Sequence, residues 1–472
     1  MKVIQFINPV IFLISVVACA NKNDKEKETV TPVKDSAIAA PVAQRDSFET
    51  GKVIVHVICK TNPDQSYALY IPAVNSKTLP VIYFFDPHGD GSLPVTKYKA
   101  LADQYGFMLI GSNDSTNGND WPTAENIWNA LSSDTKNRLP IDDTRIYACG
   151  FSGGAKVAGY VALNHPEVKG VIAGGAALPD GTTPGNFHFS FTALAGEGDM
   201  NMTDVAAFSA ALDQTQTKHR IIFFDGIHEW APVNTMSIAF AGLLLDAMRE
   251  KTIPQNIAFI NNYVDDSKKR INDFTKANNY VKAEAECRVA ISVLDGVTDA
   301  AKWFIEKDAA IKNNPVYQKQ MKDRQNLLAT EQNIKAGYMQ QFQQGDMNYW
   351  ATTINDLHTK AKMKTAEGAM YQRLVAYLSL AFYSISNQLI SQHRDADAKQ
   401  FVDLYKMDDA TNSEAWYFSA ILNARSNHAN VAKEDLLKAV ENGFTDKNRL
   451  RQQPEFQNTA INLAEIESKM KK

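Results

Sequence analysis

Hydrophobic residues follow two different rhythms along this chain. Up to about residue 250 they come in short continuous runs. Pro80–Phe85, Arg145–Cys149, His188–Ala195 and Arg220–Phe224 are rich in β-branched and aromatic residues, and each breaks off into a loop of glycine and polar residues. Runs of this length with such ends read as strands, Arg145–Cys149 as a buried one. Between the second and third lies Ala155–Leu163, which reads as a helix with one face of small, close-packing residues. Near residue 251 the rhythm changes. Apolar residues now recur at three and four, and only five of the 24 glycines and three of the 17 prolines fall in 251–472. The pattern predicts a unit of alternating strands and helices over 51–252 and an all-helical unit over 253–472.

The loops that end the strands carry the candidate chemistry. After Arg145–Cys149 comes Gly150-Phe151-Ser152-Gly153-Gly154. The G-x-S-x-G pattern alone arises often by chance, and its specificity here comes from the strand before it and the helix after it. In that setting it reads as a sharp turn that lifts the Ser152 hydroxyl above the sheet, with glycine at 150 and 154 because a Cβ would strike the neighbouring strand or helix. After His188–Ala195 comes Gly196-Glu197-Gly198-Asp199, and after Arg220–Phe224 comes Asp225-Gly226-Ile227-His228-Glu229-Trp230. Serine, acid and histidine thus follow successive strands, in an order that suits a nucleophile, a group that orients the base, and the base itself. Asp199 is the acid favoured by its place just beyond a strand. Glu197 and Asp225 compete with it, and aspartate with glycine is also the ordinary composition of a turn. Among nine histidines only His228 sits in a glycine-containing loop directly after a late apolar strand; His165, His219, His358, His393 and His428 read as solvated or helix-surface residues. A site that stabilises an oxyanion needs two N–H donors. Gly153 supplies one candidate, and Asp90, in the loop Asp86-Pro87-His88-Gly89-Asp90-Gly91, supplies the other. The loop Ser112–Trp121 is placed to line a cleft beyond the strand ends, although its composition is equally that of a solvated loop.

On these motifs (Pro87-His88-Gly89, the turn around Ser152, Gly196-x-x-Asp199 and His228-Glu229-Trp230) residues from about 51 to 250 resemble the α/β-hydrolase superfamily. The nearest branch is the secreted single-domain esterases, which include polyhydroxyalkanoate depolymerase-like and feruloyl-esterase-like enzymes. The resemblance implies an α/β fold with a mostly parallel sheet and flanking helices. It also implies acyl transfer to Ser152 and hydrolysis of an ester, less often of an amide. The aspartate at position 90 and the Ala231 between Trp230 and Pro232 depart from the branch and bear on the substrate class. In the helical half, Trp416, Ala420, Ala432, Leu436 and Ala439 resemble the tetratricopeptide pattern, clearest over 414–445, with Asn423 where an aromatic is usual. Phe382, Ser386, Ala398, Val402 and Tyr405 form a weaker copy one period upstream, and helices over roughly 316–343 and 346–361 suggest an irregular third pair. Two readings of this half stay open: a platform for a peptide, protein or substrate, and a cap that packs on the hydrolase and shapes its cleft.

Charge and composition narrow the rest. The net charge is −4, and residues 51–250 carry 13 Lys/Arg against 20 Asp/Glu, a balance of −7 that leaves no footprint for nucleic acid. No cysteine–histidine cluster has metal-ligand spacing, and no phosphate-loop or dinucleotide glycine pattern occurs, so neither metal nor cofactor is expected. At the N-terminus, Lys2 precedes an apolar stretch, Val10–Val17, that is too short to span a membrane stably. It ends in Val16-Val17-Ala18-Cys19, which resembles a bacterial lipobox. That resemblance implies a signal peptide over 1–18, lipidation of Cys19 and attachment to the cell envelope, the outer membrane above the inner. Residues 20–50, charged and then rich in Thr, Val, Pro and Ala, cannot bury a core and read as a tether, so 19–50 form the link to the first domain. The remaining Cys59, Cys149 and Cys287 are odd in number and lie in apolar or helical surroundings, which suits free buried thiols. The expectation is an envelope-anchored serine hydrolase acting on small-molecule or polymeric esters. The alternatives are a catalytically silent scaffold that works through its helical domain, and a serine peptidase.

Overall fold

In a computed structural model the described residues are 46–457, 459 and 461–470, so Cys19 and most of the tether lie outside them. Eight strands, β1 (Val53–Ile58), β2 (Ser66–Tyr70), β3 (Leu79–Phe85), β4 (Met108–Ser112), β5 (Ile141–Phe151), β6 (Val168–Gly174), β7 (Ser190–Gly196) and β8 (His219–Phe224), form one sheet. Their order is β1-β2-β4-β3-β5-β6-β7-β8. Only β1 with β2 and β2 with β4 run antiparallel. The pairs from β4 through β3, β5, β6 and β7 to β8 are all parallel. Helices α1 (Ser92–Tyr105), α2 (Trp121–Arg138), α3 (Gly153–Asn164), α4 (Met202–Leu212) and α5 (Val233–Arg249) connect and cover the strands. This is the α/β-hydrolase fold.

The apolar runs are continuous because both faces of the sheet are covered. On β3, Val81, Tyr83 and Phe85 join one core with Trp128 of α2, Ala155 and Ala158 of α3 and Val205 of α4. The alternate residues Ile82 and Phe84 join a second core with Tyr98 of α1 and Phe240 of α5. Strand β5 divides in the same way, Ile146 and Ala148 to the first side and Tyr147, Cys149 and Phe151 to the second. His219 is not a helix-surface residue but opens β8, where its ring pairs with Asp213 at 3.0 Å.

The all-helical region begins with α6 (Ile257–Lys276), α7 (Tyr280–Leu294) and α8 (Ala301–Lys312). It continues through α9 (Pro315–Gln344), α10 (Met347–Lys360), α11 (Ala366–Ser391), α12 (Asp395–Asp408), α13 (Ser413–Arg425) and α14 (Ala429–Glu441). Three short helices, α15 (Lys447–Gln452), α16 (Pro454–Gln457) and α17 (Leu463–Ser468), close it. Pro315 at the head of α9 and asparagine or aspartate caps on α6, α7, α9 and α10 mark the starts. Asp346, for example, accepts from the Tyr349 N–H at 2.8 Å. The positions that resemble the repeat pattern are interior: Ala420, Ala432, Leu436 and Ala439 between α13 and α14, and Phe382, Ser386, Ala398, Val402 and Tyr405 between α11 and α12. Trp416 is half-buried, its ring beneath the Lys438 ammonium at 4.2 Å.

The composition break near residue 251 is not a break in the core. Ala241, Leu245 and Met248, on the outer side of α5, are buried against Ile260, Val264, Cys287 and Leu294 of α6 and α7. Helix α7 also lies along β8, the edge of the sheet, and puts Val289 into the second core. Beneath β8 the buried Arg220 pairs with Asp246 of α5 at 2.7 Å. Arg249, one turn on, joins Asp246 to the carbonyls of Ser292 and Val293 at the end of α7. A chain ending at residue 252 therefore exposes the outer face of α5 and the β8 edge, whereas one ending at residue 313 keeps both covered. The longer fragment is expected to melt cooperatively and stay monomeric. The shorter one, with Leu245 alone representing about 1.5–3 kcal/mol of lost burial, is expected to melt at a lower temperature and aggregate, as calorimetry and gel filtration would read.

Candidate active site

Strand β5 runs straight into the turn at Ser152, whose backbone is forced into the left-handed region at φ 55° and ψ −122°. A non-glycine residue adopts such a conformation only where its surroundings impose it. The imposing surroundings are α3 and β3. A Cβ on Gly150 would lie 2.0 Å from the Gly154 carbonyl oxygen, and one on Gly154 would lie 1.9 Å from the Phe85 carbonyl oxygen. With glycine at both positions the helix crosses within van der Waals reach of two strands, and the chain turns in a single residue. The Ser152 N–H donates to the Gly174 carbonyl at 2.8 Å, which ties the turn to β6. As the first residue of α3, Gly153 carries one of the N–H groups that a helix leaves without an intrahelical acceptor.

Ser152, His228 and Asp199 are brought together. His228 Nε2 lies 2.9 Å from the Ser152 Oγ, and its Nδ1 lies 3.0 Å from each Asp199 carboxylate oxygen. An ionised carboxylate can only accept, so in the neutral ring Nδ1 carries the hydrogen and the Nε2 lone pair faces the serine hydroxyl. Asp199 is 1% exposed. It also accepts from the Asn201 N–H at 2.8 Å, and the Asn201 amide donates to the Gly175 carbonyl at 2.8 Å. Gly175 stands at φ 65°, where an added Cβ would come within 3.0 Å of the His228 ring and 2.7 Å of Phe151. The Phe151 ring covers the imidazole from one side, with centroids 4.6 Å apart.

Backbone pairing holds the two loops together. The Glu197 and Gly198 N–H groups donate to the carbonyls of Phe224 and Gly226, each at 2.9 Å. On the far side of His228, the Trp230 indole N–H donates to Asp86 at 2.8 Å, while Lys97 and Tyr98 donate to the Trp230 and Ala231 carbonyls. Burial works against the Asp86 charge, but hydrogen bonds from His88 and from the Trp230 indole outweigh it and hold this carboxyl below its ordinary value. Beneath the turn, burial pushes the Cys149 thiol far up, and Cys59 rises to about 12 for the same reason, so neither offers a thiolate. Cys59, Cys149 and Cys287 are all free and buried.

The other acids face elsewhere. Glu197 turns its carboxylate to Arg324 of α9 at 3.1 Å, and Asp225, 82% exposed, meets Lys282 of α7 at 2.5 Å. Asp90 is not joined to Ser152 or His228 by a hydrogen bond. Its carboxylate accepts from Ser92 Oγ and the Leu93 N–H at the head of α1. Trp121 opens α2 and stacks on Tyr160 of α3, centroids 4.8 Å apart, so one of its faces is covered. The loop 112–121 reaches the turn through Asn117 instead, whose side-chain amide lies against Gly153 and whose N–H donates to the Pro87 carbonyl at 2.8 Å. Gly175 and Asn201 were not legible as site residues, and Asp86 and Asn117, although in the two loops placed at the site, were not singled out within them. They are common loop residues in sequence, and only the folded loops bring them to the histidine and serine. Among the described residues no group of three His, Cys, Asp or Glu stands close enough to share a metal ion.

No protein-family model matches the sequence, and no curated protein matches it. Among solved structures, the chain is similar to a hyperthermophilic esterase from the archaeon Pyrobaculum calidifontis, with 12% identity, 41% of this chain and 86% of that one covered, and a TM-score of 0.35. It is similar to a thermostable carboxylesterase from a metagenomic library, with 12% identity, 43% and 91% covered, and a TM-score of 0.36. It is also similar to an S-formylglutathione hydrolase from Agrobacterium tumefaciens, with 15% identity, 41% and 93% covered, and a TM-score of 0.32.

Gly154→Ala tests the steric origin of the turn. Its Cβ would meet the Phe85 carbonyl at 1.9 Å, so the helix must retreat. The expected result is a destabilisation of about 1–3 kcal/mol with loss of the Ser152 conformation, read by chemical denaturation and by the rate of labelling with a fluorophosphonate.

Proposed function

We propose that this protein is a serine hydrolase that cleaves carboxylic esters, with Ser152 as nucleophile, His228 as general base and acid, and Asp199 as the group that orients the imidazole. The observation that carries the reading is the unbroken sequence of hydrogen bonds from Ser152 Oγ through His228 to Asp199, at 2.9 and 3.0 Å. As Ser152 Oγ attacks the ester carbonyl, its proton passes to His228 Nε2, and Asp199 stabilises the imidazolium. The tetrahedral oxyanion is received by the Gly153 N–H and by a second donor from the loop after β3, for which the Asp90 N–H is the candidate. Collapse expels the alkoxide, which takes the proton from His228. Water then enters, gives a proton to His228 and its oxygen to the acyl carbon, and the acid leaves with Ser152 restored. No cofactor is needed for these steps.

The reading extends to the rest of the chain. Cys19 is proposed as a lipidation site that holds the enzyme at the cell envelope, and the helical half as a tetratricopeptide-like unit. The buried small residues between α13 and α14 support the latter. Polar residues along 112–121, with Trp121, suit a sugar or aromatic ester, small or polymeric, and a hydrolysis screen over short acyl, feruloyl, acetyl-sugar and peptide substrates separates ester from amide preference.

Ser152→Ala should abolish fluorophosphonate labelling and ester hydrolysis, and His228→Ala should lower kcat comparably, by about 10⁶-fold or about 8 kcal/mol if the three residues act as a unit. Asp199→Asn should cost about 10⁴-fold. Full activity in Ser152→Ala would overturn the assignment. Loss in Asp225→Asn or Glu197→Gln with none in Asp199→Asn would identify a different acid. Separately, Cys19→Ser should abolish lipid labelling and release the protein from the membrane fraction. A variant that stays in the membrane pellet would point to an uncleaved N-terminal segment instead.

A further inference from the structure

The loop that carries Asp199 is held from two directions. On the inner side it pairs with the end of β8 and the His228 loop through the Glu197 and Gly198 N–H groups. On the outer side it meets residues from the C-terminal half of the chain. Arg373, near the start of α11, donates from Nη1 to the Glu197 carbonyl oxygen at 2.5 Å. Its remaining arms, Nε and Nη2, are both bound to Glu331 of α9, at 2.9 and 2.6 Å. Arg373 is 3% exposed and Glu331 1% exposed. The neighbouring Gln372 lies directly over Gly198, where an added Cβ would come within 2.1 Å of its side-chain oxygen. Arg324 of α9 completes the contact, with its guanidinium on the Glu197 carboxylate and over the Phe223 ring.

A buried ion pair is a poor device for stability alone, because desolvating two charges costs about what their attraction returns. What this pair does supply is direction. A guanidinium is planar and rigid, so fixing two of its arms on Glu331 fixes where the third points. It points at the carbonyl two residues before Asp199. We propose that Arg373, locked by Glu331, is a positioning residue for the site. It sets the height of the 196–199 loop over the sheet, and through Asp199 it sets the orientation of His228. On this proposal the C-terminal helices form the outer wall of the site's acid loop. The proposal rests on the assignment of Asp199 as the orienting acid.

The test is a double-mutant cycle in the full chain, followed with a small ester. Arg373→Met should lower kcat by about 10–100-fold, the scale expected for a misplaced catalytic group, while KM stays within about twofold. Arg373→Lys, which keeps the charge but not the fork, should recover part of the loss. In an Asp199→Asn background, Arg373→Met should cost less than about threefold, because the residue through which it acts is already disabled. Unchanged kcat in Arg373→Met, or an equal loss in both backgrounds, would overturn the proposal. Should Arg373→Met not melt cooperatively, Arg373→Lys decides, with a loss of about 3–10-fold expected and full kcat overturning it. Full activity in Asp199→Asn alone would instead overturn the underlying assignment of the acid, so the two failures are distinct.

Discussion

The close crossing of α3 over β3 and β5 is the constraint on which the site depends. It leaves no room for a Cβ at Gly150 or Gly154, and it drives Ser152 into the left-handed region at φ 55°. A longer, relaxed turn would satisfy the backbone at lower cost, but it would let the hydroxyl swing. In the strained turn the Cβ is fixed above the sheet, and the hydrogen bond to His228 Nε2 at 2.9 Å holds the Oγ towards the histidine. The strain is borne by the sheet: β5 is paired on both sides and its residues 146–151 are buried, so the turn cannot relax by moving the strand.

The loops after β7 and β8 have no such support from the sheet, since a loop beyond the last hydrogen bond is free on its outer side. Here each is held both by other loops at the strand ends and by the helical half. Trp230 reaches back to Asp86, and Asn201 ties the aspartate loop to Gly175. Lys282, Arg324 and Arg373 reach the same two loops from the helical half. The two acids that competed with Asp199 in the sequence, Glu197 and Asp225, are the ones these cations occupy. The roles are divided by position: the acid turned inward, at 1% exposure, holds the histidine, and the acids turned outward hold the helices.

The same principle governs the junction at residue 251. Helix α5 is the last element the sheet requires, yet its outer face is as apolar as its inner one, with Ala241, Leu245 and Met248 buried. A helix that is hydrophobic on two sides needs a second layer. The layer is α6 to α8, and the Arg220–Asp246–Arg249 network secures it by carrying charge from β8 to the end of α7. Burial opposes the Asp246 charge, but the neighbouring Arg220 and Arg249 keep its carboxyl below the ordinary range, so the network holds through neutral pH and weakens only in acid.

The sequence by itself determined the buried strands and the tight turn, because both are local. Apolar runs rich in β-branched and aromatic residues that break off into glycine-containing loops specify β3, β5, β7 and β8 without reference to anything distant, and Gly-Phe-Ser-Gly-Gly specifies a turn that has room only for glycine at 150 and 154. Strand β1, Val-Ile-Val-His-Val-Ile, has the same β-branched composition, and what the fold alone decides is its place at the sheet edge, where Val55 and Ile58 are exposed and β2 is its antiparallel partner. The all-helical character of 253–472 was legible for the same local reason, apolar residues at three and four with few glycines and prolines. The tertiary structure alone decided which acid faces the histidine, which loop residues support it, and how the two halves join. These are relations between residues up to 176 positions apart, as the Arg373 side chain and the Glu197 carbonyl are. No periodicity or spacing encodes a contact of that range; it exists only once two surfaces have met.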